Sequence, residues 1–269
     1  MRPVSRATGG WTSLRLTAVF AAAALLPLAA TMAYHGPELL PSLGLALVLA
    51  ALWQAVFARL RKRSMDWDGI VSAMLFAMLV PVAVPLWLQG LAFSFGLVFG
   101  VLIYGARGRG FLNPVVVALS FLLISGVDFD TIVPGTDVVV WAALGGILLL
   151  ALGLLSWRLV AGFAMAVVLL SLAWPMSDGL VSIFSAALFI GLVFLIGDPT
   201  ASPSTNPGRW AHGLGAGALL ILFSHSGAGA IGLAPVISAA FLASIFAPLV
   251  DQAVVWVNHR QRMRRDDHG

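Results

Sequence analysis

Long stretches without a charged residue constrain this chain more than any other feature. Eight such stretches lie between residues 16 and 250, and each holds at least 18 residues. A helix needs about 20 apolar residues to cross ~30 Å of hydrocarbon, and a backbone in lipid must satisfy its own hydrogen bonds, which favours helices. The stretches are residues 16–37, 39–58, 69–106, 110–127, 138–157, 159–177, 179–197 and 210–250.

Two of the stretches are long enough for two crossings each. Residues 69–106 contain Pro81 and Pro85, where we predict a break, and we predict a second break in residues 210–250 around 224–229. The sequence therefore predicts an all-α polytopic membrane protein with about ten transmembrane helices, forming one membrane domain over residues 1–269. Only 10% of the residues are charged, against roughly 25% in soluble domains, so a water-facing surface could not be covered.

The positive charges predict the orientation. Cytoplasmic loops carry an excess of Lys and Arg. With ten crossings and a cytoplasmic N-terminus, all 15 Lys and Arg residues fall on the cytoplasmic side. The outer loops then hold only acids, namely Glu38, Asp128, Asp130, Asp137 and Asp178. We therefore predict a multi-pass protein of a bacterial-type inner membrane with both termini cytoplasmic, and the net charge of +4 gives no indication of nucleic-acid binding.

The first apolar stretch has a second interpretation. Basic residues, an apolar run and Ala-Thr-Met-Ala before Tyr34 are also typical of a cleaved signal peptide. The length of the run and the close second stretch favour a retained helix.

Two polar, proline-containing loops are the candidate sites. Residues 198–209 (DPTASPSTNPGR) combine hydroxyl and amide groups with Arg209, whose planar cation suits anionic groups. The alternative is a helix cap at Asp198 and a charge anchor at Arg209. The other loop contains Asn113-Pro114, which is typical of a helix start. Asp68 before residue 69 is typical of an N-cap. Both loops contain Asn-Pro, a weak sign of two related five-helix halves.

The residue types exclude several kinds of chemistry. The chain has no cysteine, so it has no thiolate ligand and no thiol nucleophile. His212 and His225 do not have the spacing of a metal or haem site, so we predict no metal ligands and no catalytic residue. The uncharged stretches carry no acid or base of the kind that proton relays use.

Four stretches resemble the NqrB/RnfD family, the large membrane subunits of Na+-translocating NADH:quinone reductase and of the Rnf electron-transport complex. The resemblance runs from about residue 66 to residue 260, and the loop at residues 197–210 is its most specific part. The stretches are residues 68–75 (DGIVSAML), 104–123 (YGARGRGFLNPVVVALSFLL), 197–210 (GDPTASPSTNPGRW) and 246–251 (FAPLVD).

The resemblance implies a membrane subunit of a flavin-dependent electron-transport complex. Members of the family carry FMN and often riboflavin, work with other subunits of a redox complex, and in some complexes couple electron transfer to movement of Na+ or H+. Quinone is a further partner that the resemblance implies. The residues expected to shape a cytoplasmic-side flavin or quinone pocket are Asp68, Asn113, Asp198, Thr200, Ser202, Thr205 and Arg209.

The sequence departs from the family at the site of covalent FMN. Family members attach FMN to the Thr of a D-x-x-[ST]-G-A-T motif. Here Asp130 and Thr136 have the spacing of that motif, but Val133-Pro134-Gly135 replaces Ser-Gly-Ala. Thr136 is therefore a candidate for covalent FMN, and an ordinary acidic turn is the alternative.

Two other functions stay open at the level of sequence. One is a small-molecule transporter with the same fold, which the uncharged stretches disfavour. The other is a cofactor-free membrane anchor for redox subunits.

Overall fold

Helices make up most of the part of the chain that the structure describes. The computed structural model describes residues 13–62, 67–105, 110–129, 136–176, 184–226 and 231–266. The helices are α1 (Ser13–His35), α2 (Leu40–Arg61), α3 (Gly69–Leu79), α4 (Leu86–Leu97), α5 (Pro114–Ile124), α6 (Thr136–Ala151), α7 (Trp157–Ala173), α8 (Ala186–Ile190), α9 (Asn206–Ser226) and α10 (Leu233–Asp266).

Irregular turns join or extend some of these helices. A 3₁₀ turn, Gly36–Leu39, joins α1 to α2. Wider π-helical turns continue α4 as Val98–Leu102 and α8 as Gly191–Ile196. The predicted break at the two prolines is confirmed, because α3 ends at Leu79 and α4 begins at Leu86. Proline lacks the amide proton that a continuing helix needs.

The helices are of two lengths. Two helical stretches, Leu14–Arg61 and Leu233–Val257, are long and apolar enough to cross a bilayer, and the first of them is the α1–α2 pair. In contrast, α3 and α5 hold 11 residues each, or about 17 Å at 1.5 Å per residue, about half the hydrocarbon thickness. Long and half-length helices therefore share one bundle, and the count of ten crossings stays a prediction.

The outside of the bundle is apolar. Large side chains such as Ile124, Trp87 and Leu169 are 83%, 70% and 59% exposed. A soluble monomer rarely exposes contiguous apolar surface on this scale. The exposed surface is thus suited to lipid.

The helix pairings of the first five helices recur in the second five. In the first unit, α1–α5, contacts join α1 to α3, α2 to α4, α3 to α5 and α4 to α5. In the second unit, α6–α10, contacts join α6 to α8, α7 to α9, α8 to α10 and α9 to α10. The units meet where α1 packs on α6 and α5 packs on α10. This repetition supports two related five-helix halves, for which the paired Asn-Pro loops gave only a weak sign.

A seam of small residues brings α7 and α9 close together. A Cβ on Gly213 would lie 3.0 Å from the Phe163 amide nitrogen, and one on Gly217 would lie 2.8 Å from the Phe163 carbonyl oxygen. Further along, the Trp174 and His225 rings stack with centroids 4.0 Å apart. Residue numbers rise together along the two helices, so α7 and α9 run parallel, with the close backbone approach typical of small residues in membrane helices.

We expect Gly213→Ala to lower stability by about 1–3 kcal/mol, because the new methyl group meets backbone that cannot move aside. The measurement is the thermal unfolding midpoint in detergent. Gly215→Ala is the matched control on the same helix, since its Cβ would have no neighbour within 4 Å. Equal midpoints for the two variants would show that the seam is loosely packed.

Candidate functional site

A narrow polar cleft lies where the half-length helices begin or end. We call it the central cleft. Its volume is about 40 Å³, room for a few water molecules. Apolar walls come from α1, α3, α4 and α8, with Phe20, Leu75, Leu97 and Phe194 among them. The polar lining residues are Gln54, Asp68, Ser72, Asn113, Asp198 and Thr200.

Both π-helical turns border the central cleft. Val101 and Leu102, from the turn after α4, line it, and so does Phe194, from the turn after α8. A π-helical turn shifts the backbone hydrogen-bond register and is frequent at functional sites. In this protein it leaves the Phe194 carbonyl oxygen as the acceptor of a side-chain hydrogen bond.

Asn113 is the polar centre of the cleft. Its Oδ1 accepts from the Val115 amide at 2.9 Å, so the predicted cap of α5 is confirmed. Its Nδ2 donates to the Phe194 carbonyl and to Asp198 Oδ2, both at 2.9 Å. The side chain is only 2% exposed. One buried amide therefore caps α5 in the first unit and binds the end of α8 in the second.

Asp198 is a buried carboxylate with its oxygens engaged. It is 4% exposed. Oδ2 accepts from Asn113, and Oδ1 accepts from the Thr200 amide at 3.0 Å. Burying a charge without such partners would be very costly. Asp198 thus shapes the start of the loop that follows α8 and presents Thr200 to the cleft.

Asp68 does not act as the predicted side-chain cap. No side-chain hydrogen bond caps the first turn of α3. Instead the Asp68 carboxylate accepts a hydrogen bond from the Thr17 hydroxyl of α1. The reason is tertiary, because α1 packs against α3 and brings Thr17 to the carboxylate.

Three polar residues at or beside the cleft were missed in the sequence. Thr17, Gln54 and Ser72 lie inside uncharged stretches and are all buried. A Cβ on Gly69 would lie 2.8 Å from Gln54 Nε2, so a glycine is needed for the amide to reach the start of α3. Gln54 offered a signal, since a glutamine within an apolar helix seldom faces lipid.

Ser202, Thr205 and Arg209 are not among the residues that line the central cleft. Thr205 and its neighbour Ser204 form a second cluster, which we call the Asp251 clasp. The Asp251 carboxylate accepts from the amides of Ser204 and Thr205 at 2.7 and 3.1 Å, and from their hydroxyls at 2.9 and 2.6 Å. Arg209 Nε donates to the Pro203 carbonyl at 3.2 Å, and Ser202 is half-buried between the clasp and the cleft.

The candidate for covalent FMN lies at the edge of the described chain. Thr136 is the first residue of α6. Its side chain and residues 130–135, including Asp130, lie outside the described residues. Attachment at Thr136 therefore stays a prediction.

The central cleft matches a flavin in chemistry but not in size. A flavin carries an N–H donor, carbonyl acceptors and hydroxyl groups, and the carboxylates, amides and hydroxyls of the cleft could pair with each of them. A typical small-molecule site holds about 300–1,000 Å³, far more than the cleft volume of about 40 Å³. In this conformation the cleft cannot enclose a flavin ring.

Half-length helices whose ends meet at a polar cleft, between two units with the same pairings, define a class of multi-pass membrane proteins that bind ligands inside the bundle. The family model described as "NQR2, RnfD, RnfE family" matches residues 10–129 and 127–259. The chain belongs to this family, and the resemblance found in the sequence is confirmed.

Curated relatives share about a quarter of their residues with the chain. The NqrB component of the Na(+)-translocating NADH-quinone reductase of Ectopseudomonas mendocina is 26% identical over 290 residues, which cover 84% of this chain and 69% of the relative. The components of the same name from Stutzerimonas stutzeri and Azotobacter vinelandii are 25% and 27% identical, with the same shares covered.

We expect Asn113→Ala to lower stability by about 2–3 kcal/mol, because it leaves the buried Asp198 carboxylate and the Phe194 carbonyl without a donor. The measurement is the unfolding midpoint in detergent. Asn206→Ala is the matched control, since Asn206 also precedes a proline at a helix start but is exposed. Equal effects in the two variants would contradict the bridging role of Asn113.

Proposed function

We propose that this chain is the membrane subunit of a flavin-dependent electron-transport complex of the Nqr or Rnf type. In such a complex it passes electrons across the membrane, coupled to translocation of Na+ or H+. The proposal rests on the family membership, and the curated relatives carry the name of an Na(+)-translocating NADH-quinone reductase subunit.

One structural observation carries the proposal further than the family name. The polar lining of the central cleft comes from three of the four stretches that resemble the family. Asp68 and Ser72 belong to residues 68–75, Asn113 to residues 104–123, and Asp198 and Thr200 to residues 197–210. Separate family-like stretches that meet at one buried polar cleft point to a shared ligand there.

The ligand that we propose for the central cleft is a non-covalent flavin, riboflavin or FMN. A flavin supplies one- and two-electron transfer, and the protein supplies its position and polarity. Asp68, Asn113, Asp198 and Thr200 would hold its polar groups. Since the cleft of about 40 Å³ is smaller than the ring, binding requires the helices around the cleft to move apart.

We further propose the arrangement in the membrane that the charges predict. Ten segments, some of them half-length helices, would traverse a bacterial-type inner membrane with both termini cytoplasmic. Other redox subunits and quinone would meet the chain from that membrane. Activity of a reporter fused to the C-terminus on the periplasmic side would contradict the orientation.

The experiment is an absorption spectrum of the full-length chain, purified from its own membranes, before and after acid precipitation. We expect a flavin band that moves to the supernatant. Asp198→Asn should weaken riboflavin binding about tenfold, as expected when a charged hydrogen-bond acceptor is lost. Glu38→Gln is the control, because Glu38 is an exposed acid on the turn between α1 and α2.

Two outcomes bear on the alternatives. A flavin that stays with the precipitate, and is lost in Thr136→Ala, would indicate covalent attachment at Thr136. Wild-type protein without flavin, and without affinity for added riboflavin or FMN, would contradict the proposal and favour a cofactor-free anchor.

A further inference from the structure

The Asp251 clasp joins α10 to the loop that lines the central cleft. Asp251 lies on α10, in the last of the family-like stretches, and it is not among the cleft residues. Its carboxylate accepts four hydrogen bonds from Ser204 and Thr205, at 2.6–3.1 Å. Four donors on one carboxylate are more than a helix surface needs, so the loop is held firmly at this point.

The loop has little freedom between the clasp and the cleft. Only residues 201–203 separate Thr200, at the cleft, from Ser204, at the clasp. The Ala201 amide donates to the Asp198 carbonyl at 3.0 Å, and Ala201 is 1% exposed. Pro203 fixes its own backbone angle, and its carbonyl accepts from Arg209. A displacement at residues 204–205 would therefore move Thr200.

The clasp is also closely packed. A Cβ on Gly208 would lie 2.9 Å from Asp251 Oδ1 and 2.9 Å from Pro203 Cβ. Thr205 Oγ1 accepts from the Gly208 amide at 3.2 Å while it donates to Asp251. Thus α9, α10 and the loop share one junction, and Gly208 permits their close approach.

We propose that Asp251 is a positioning residue for the central cleft. By holding Ser204 and Thr205, it fixes the loop that presents Asp198 and Thr200, and so it sets the affinity of the cleft for its ligand without touching that ligand. The ligand part of this inference rests on the proposed flavin function. The positioning part stands on the hydrogen bonds alone.

The test measures loop protection and ligand affinity in the same full-length variants. Hydrogen exchange of a peptide covering residues 198–205 reports the loop, and quenching of riboflavin fluorescence reports affinity. Asp251→Asn keeps the shape but removes the charge, and Thr205→Val removes the hydroxyl from the other side of the contact. Thr205→Ser is the conservative variant, and Glu38→Gln is the distant control.

We expect Asp251→Asn and Thr205→Val each to speed exchange of the loop and to weaken riboflavin binding, by about tenfold for Asp251→Asn. The double variant should be no weaker than the worse single variant, because both remove the same contact. Thr205→Ser should retain most of the protection and affinity. All measurements are made below the unfolding midpoint of each variant.

Several outcomes would overturn the inference. Unchanged exchange in Asp251→Asn would show that the clasp does not hold the loop, and faster exchange with unchanged riboflavin affinity would show that the loop does not set affinity. Effects that add in the double variant would indicate separate roles. If wild type binds no riboflavin, the proposed function fails, whereas faster exchange of residues 198–205 in Asp251→Asn would still support the positioning role.

Discussion

The hydrogen bonds of the Asn113 side chain are the interaction on which the rest of the site depends. This one amide caps α5 in the first unit, and it binds both Phe194 and Asp198 at the end of α8 in the second. In a protein surrounded by lipid, no water is available to satisfy a buried helix end. The ends of the half-length helices must therefore find partners inside the protein, and Asn113 supplies them across the boundary between the two units.

The central cleft follows from this requirement. Helices of 11 residues, such as α3 and α5, begin or end at membrane depth if the bundle spans a bilayer. Their ends collect polar side chains, which leave a polar space between apolar walls. Irregular backbone of this kind is tolerated in membranes only where it is enclosed by protein or lines a cavity. The π-helical turns after α4 and α8 extend the irregular region on both sides.

Local features of the fold were predictable from the sequence, and tertiary partners were not. Pro81 and Pro85 predicted the break between α3 and α4, and Asn113-Pro114 predicted the start of α5, because both signals act on neighbouring backbone. The Asn113–Asp198 bond spans 85 residues, and the Thr17–Asp68 bond spans 51. No helical periodicity encodes such pairs. The same limit explains why Thr205 was assigned to the pocket, although Asp251, which binds it, lies 46 residues further along the chain.

The central claim is that the cleft between the two units is the ligand site, and cysteine protection tests it most directly. The chain has no cysteine of its own, so a thiol reagent would label only an introduced one. Thr200→Cys lies at the cleft, and Asn206→Cys lies outside it on the same loop. The account predicts that riboflavin slows labelling of Thr200→Cys and leaves Asn206→Cys unchanged. Equal labelling rates with and without riboflavin at position 200, in a protein shown to bind riboflavin, would contradict it.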